Sequence, residues 1–114
     1  MFGLKMSNYT PTVTKADIDR IIQRDYFQYD PVAVWEILLL YSSGESHRVY
    51  AAALKEGKGN LEKLRQAIDL ANLDYRDLLV AAEYPAHMKE GLFGYHSPDT
   101  IKGDEKQYYD WFNK

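Results

Sequence analysis

No cysteine occurs among the 114 residues. That absence excludes thiol catalysis, thiolate zinc sites, iron–sulfur clusters and any disulfide framework, and it agrees with a reducing compartment. Long apolar runs are missing too. The longest, Val32 to Tyr41, is interrupted by Glu36 and falls short of the roughly 18–20 residues of a membrane span. Residues 1–6 hold one lysine and no secretory apolar stretch, so the expectation is a soluble, cytoplasmic chain with no membrane partner. A basic excess is equally absent. The formal net charge is −3, Lys/Arg and Asp/Glu balance at seven each over residues 1–60, and carboxylates outnumber cations in the two segments that follow. Nonspecific nucleic-acid binding depends on concentrated positive charge, and a nucleic-acid partner is therefore not favoured.

What is present is a helical pattern. The length suits one domain, 1–114, able to bury roughly two thirds of its unfolded surface. Residues 1–13 have no helical period and read as an extended arm. Thr14 and Asp17 mark a helix start, and Ile18, Ile21, Ile22, Tyr26 and Tyr29 follow at helical spacing over 15–28. Asp30-Pro31 is a second start, an N-cap followed by proline at the first helical position. The helix it opens, 31–42, is apolar on nearly every side and is expected at the centre of a bundle. Ser42-Ser43-Gly44 breaks the pattern before a third helix, 46–56, which Ser43 or Ser46 would cap. Gly57-Lys58-Gly59-Asn60 closes it and caps a fourth, carrying Leu61, Leu64, Ala67, Ile68 and Ala71. Asn72 and Asp74 suggest a turn, then a fifth helix over 75–84. Pro85 ends that helix or starts a short successor; Gly91, Gly94 and Pro98 make 85–103 an irregular loop region with at most one helical turn, and Asp104 to Phe112 is a short last helix. The fold class is all-α: a compact bundle of about five helices with an aromatic C-terminal helix packed back on it.

Leu70-Ala71-Asn72-Leu73-Asp74-Tyr75-Arg76-Asp77-Leu78-Leu79 resembles the helix-turn-helix of DNA-binding proteins, two helices around a tight bend. The resemblance implies a DNA-binding regulator as the alternative function, favoured if Arg20, Arg24, Arg48 and Arg76 cluster on one face. Against it, the second helix sets Asp77 and Glu83 beside the single Arg76, a face that repels phosphates. A small hydrolase or metal-dependent enzyme is the third reading. Glu83, His87 and Glu90 have metal-ligand spacing, but Pro85 interrupts their helix. Ser42, Ser43, Ser46 and His47 lack a nucleophile-elbow motif, and Gly57-Lys58-Gly59-Asn60 lacks the phosphate-loop spacing. A pocket gathering Glu36 with a histidine would favour an enzyme. No catalytic residue, metal ligand or cofactor is assigned; roles for Glu36, His87 and His96, and any small-molecule ligand, stay open.

The positive signal is aromatic. Ten tyrosines, two tryptophans and four phenylalanines exceed what a small core usually absorbs, and such side chains suit interfaces. Tyr84, Phe93, Tyr95, Tyr108, Tyr109, Trp111 and Phe112 concentrate the excess in the last third. They form the candidate surface for a protein partner or for self-association. The expected function is a non-enzymatic interaction or regulatory module.

Overall fold

Local side chains start three of the helices in the computed structural model, which describes residues 12–90 and 98–114. Thr14 Oγ1 accepts from the Asp17 N–H, while the Asp17 carboxylate accepts from the Thr14 N–H at 3.0 Å, a reciprocal cap for α1, Lys15–Asp25. That backbone bond holds the Asp17 carboxyl below the usual carboxylate range. Asp30 accepts from the Val32 N–H at 2.9 Å and Pro31 takes the first position of α2, Pro31–Leu38. Asn60 accepts from the Lys63 N–H to open α4, Leu61–Glu83. Between them α3, Ser46–Gly57, begins without a side-chain cap. Its N-cap residue is Glu45, and the Ser46 hydroxyl donates to the Ser43 carbonyl instead, so neither serine caps the helix. The remaining helices are α5, Pro85–Glu90, and α6, Pro98–Phe112; no strand occurs among the described residues.

The centre of the bundle is α3, not α2. Val49, Tyr50, Ala51, Ala52, Ala53 and Leu54 are all buried. Three alanines in succession add no bulk on any side, so neighbouring helices can close on α3 from several directions. The branched side chains of α2 cannot all be covered in this way. Val34, Ile37 and Leu38 enter the core, whereas Val32, Leu39 and Leu40 stand in solvent. The helix also stops early, at Leu38, where Leu40 and Tyr41 bond three residues back rather than four. From α1, Ile18, Ile21 and Ile22 pack inward, and the Tyr26 hydroxyl donates to the Leu54 carbonyl at 2.8 Å.

Two further boundaries differ from expectation. The anticipated fourth and fifth helices run together as α4, separated only by Asp74, whose backbone is extended (φ −161°, ψ 103°). Asp74 caps the second half by accepting from the Arg76 N–H at 3.0 Å. The region 85–103 is not irregular throughout. Pro85 and Pro98 both occupy first helical positions, where the missing N–H costs nothing; Pro85 follows the end of α4 and starts its short successor, and Pro98 starts the last helix six residues before the expected Asp104.

Candidate functional site

The densest group of buried polar side chains joins α3, α4, α5 and α6. Glu83 was expected on an exposed face, yet it is buried: it lies four residues after Leu79, on the same inward stripe. Arg48 at the start of α3 meets it in two parallel bonds, Nε to Oε2 at 2.9 Å and Nη2 to Oε1 at 2.6 Å. These bonds raise the guanidinium further above its ordinary value. One turn on, Asp104 of α6 reaches the start of α5. Its carboxylate accepts from the Ala86 N–H at 2.9 Å, from the His87 N–H at 3.2 Å and lies 2.6 Å from His87 Nδ1. Asp104 therefore supplies from a distance the cap that α5 lacks locally. The Tyr84 ring stands edge-on to His87 at 5.5 Å, and burial pushes its phenol up.

A carboxylate on Nδ1 is the orienting half of a general-base arrangement. Here, however, both side chains are only 2% exposed. The pair fastens α5 to α6 and offers no face to a substrate from solvent.

The aromatic residues proposed as a partner surface are placed differently from one another. Tyr108 is buried in the core, with Trp111 at 5.5 Å and Phe112 stacked at 5.9 Å. Trp111 and Phe112 are half-buried against the same core, and Tyr84 is half-buried beside His87. Tyr109 alone of the described members is mainly exposed. Phe93 and Tyr95 lie outside the described residues, as does His96.

The remaining candidates do not converge. Glu36 is exposed, and nothing among the described residues joins it to a histidine. Each of the four arginines named for a DNA-binding face is held by a carboxylate: Arg20 by Asp17, Arg24 by Asp25, Arg48 by Glu83 and Arg76 by Asp74. Arg20 and Arg24 stand on α1, Arg48 on α3 and Arg76 on α4. Among the described residues no three His, Asp or Glu side chains gather as a metal would need, and no helix is long and apolar enough to cross a membrane.

Sequence reasoning passed over the exposed aliphatic residues. Leu73 is 85% exposed, Leu39 60% and Leu40 55%. The Asn72 side chain donates to the Leu40 carbonyl at 3.3 Å, bringing the end of α2 to the break in α4. Glu36 lies one turn before Leu39 and Leu40, and Asp69 one turn before Leu73; both are exposed and neither is ion-paired among the described residues. Exposed apolar residues, each with a carboxylate one turn before it along the chain, thus stand at the end of α2 and at the break in α4. No protein-family model, curated protein or solved structure matches this chain.

Proposed function

We propose that the protein is a non-enzymatic interaction module. Its docking surface is the end of α2 with the break in α4, and the occupant is a short amphipathic segment of another protein with basic residues flanking its apolar ones. The observation that carries this reading is the exposure of Leu39, Leu40 and Leu73 on two segments joined by the Asn72–Leu40 hydrogen bond. Three such side chains offer a few hundred Å², well short of the roughly 800 Å² per partner of a stable interface. That size suits a short docking helix better than an obligate dimer. Glu36 and Asp69 supply the rim, and their charge selects a basic partner while adding more to association rate than to affinity.

The test is selection from a displayed random-peptide library on the full chain, with counter-selection on the Leu39→Ser/Leu73→Ser variant. Both positions are exposed, so the variant should keep its stability within about 0.5 kcal/mol. Expected is enrichment of sequences with apolar residues three and four apart beside Lys or Arg, binding at least about tenfold more weakly to the variant. Peptides that bind both proteins equally, or no enrichment, would overturn the reading. Concentration-dependent dimerisation in sedimentation, abolished by the same substitutions, would replace the partner by a second copy.

A further inference from the structure

A cleft of 470 Å³ opens where α1, α3 and α6 end, lined by Arg24 and Asp25, by Lys55 and Lys58, and by Trp111 and Lys114. Its size falls within the roughly 300–1,000 Å³ of small-molecule sites. Two of its charges are already satisfied. Arg24 makes two bonds of 2.8 Å to Asp25, its guanidinium lies 5.3 Å from the Trp111 ring centre, and it donates to the Phe112 carbonyl at 3.4 Å. Those hydrogen bonds hold the Asp25 carboxyl below its ordinary range, with a smaller contribution from the Lys114 charge, so Arg24 and Asp25 neutralise one another on this wall.

The lysines are in a different condition. The Lys55 side chain is only 15% exposed, and its one ion-pair contact, Glu56, stands 4.0 Å away, beyond hydrogen-bond reach. An ammonium carries three donors, and none of those on Lys55 meets an acceptor among the described residues. Burial lowers its pKa, and the Lys58 charge adds to the effect, against the opposing charges of Glu56 and Asp104. Lys58 itself is held at φ +50°, ψ +40°, the left-handed region that favours glycine, with Gly57 and Gly59 on either side. A lysine is kept at the rim of the cleft in a conformation that a glycine would adopt with less strain. Cations at helix C-termini often serve only to complement the backbone carbonyls. Arg24 does so, but Lys55, Lys58 and Lys114 donate side-chain hydrogen bonds to no carbonyl among the described residues.

We propose that this cleft binds a small multivalent phosphate compound of the diphosphate type, with Lys55 and Lys58 as its main contacts and Lys114 as a third charge. Three ammonium groups on one concavity match an anion that concentrates several charges on neighbouring oxygens, which lysine binds as a point charge. Monovalent anions would use only part of that field. A nucleic-acid strand needs an extended basic track, and the chain is acidic overall at −3. The site shares no residue with the apolar end of α2 and does not depend on its role.

Calorimetric titration of the full chain with sodium pyrophosphate at constant ionic strength tests the proposal. Fluorescence of Trp111 in a Trp35→Phe background gives a second readout. Expected is one saturable site, tighter than about 1 mM, with nucleoside diphosphate competing for it and chloride at equal ionic strength having no effect. Lys58→Gly should raise the melting temperature by relieving the left-handed backbone, yet weaken binding at least about tenfold. A merely structural lysine would not show that opposition. Lys106→Gln, on an exposed α6 lysine paired with Asp110, should bind as the wild type does. No saturable heat up to about 10 mM, or equal binding by Lys58→Gly, would overturn the assignment.

Discussion

Helices α1 to α4 and the pair α5–α6 are docked by different chemistry. From Ile18 to Ala82 the buried set is aliphatic and aromatic, an inward face from every helix around the small residues of α3. Among the described residues from Pro85 to Phe112, Tyr108 is the only apolar side chain that is fully buried. Polar contacts help fix that part beside the half-buried Trp111 and Phe112: Asp104 on the start of α5, and Gln107 donating to the Ala82 carbonyl at 3.2 Å. The Arg20 guanidinium also lies 5.2 Å from the Phe112 ring centre. Aliphatic burial tolerates small displacements because it is roughly proportional to area. A buried hydrogen-bonded carboxylate does not, since its benefit depends on angle and distance while its desolvation cost is always present.

The largest effect that would sharpen this contrast comes from Asp104→Ala. It removes the cap of α5 and a partner of His87 together, and should cost about 3 kcal/mol. Hydrogen exchange should show protection lost first in α5 and α6, with α3 and α4 still protected. Uniform loss across all helices would show that the two regions unfold as one unit.

Gly57→Ala probes the other region. An added Cβ would collide with the Tyr26 hydroxyl and approach Leu64 Cα to 3.1 Å, in the well-packed contact of α1, α3 and α4. The expected loss is about 1–3 kcal/mol by overpacking, read as a lower denaturation midpoint. An unchanged midpoint would mean that the aliphatic half is looser than its geometry implies.

The smallest effect has the opposite sign. Gly103 lies within α6, and a Cβ there would meet nothing within 4 Å. Gly103→Ala should stabilise by up to about 1 kcal/mol through helix propensity. If thermal melting shows no gain, α6 is limited by its docking rather than by its own helix formation.

The features legible in the sequence are those whose partners are close along the chain. Thr14, Asp30 and Asn60 announced their helices because a cap and its N–H donor lie two or three residues apart. The isoleucine stripe of α1 and the face of Tyr108, Trp111 and Phe112 follow from one period. Position in the bundle was harder to read. Hydrophobicity alone placed α2 at the centre, whereas side-chain size, seen in Ala51 to Ala53, decides how many neighbours can approach. Glu83 and Asp104 carried a signal that charge obscured, each lying four residues from a buried apolar partner, Leu79 and Tyr108. The remote cap had no local signal, because Asp104 lies 17 and 18 residues beyond the N–H groups it satisfies. The basic cleft was hidden in the same way: Lys55, Lys58 and Lys114 become neighbours only when α3 and α6 end together.

The remote cap also orders events in time. A six-residue helix is unstable alone in water, and the carboxylate that completes α5 is made after it. On a growing chain the core of α1 to α4 can close while residues 85–90 are still without Asp104. The arrival of Asp104 then completes α5, and pulse-labelling hydrogen exchange during refolding should show residues 85–90 protected after α3 and α4.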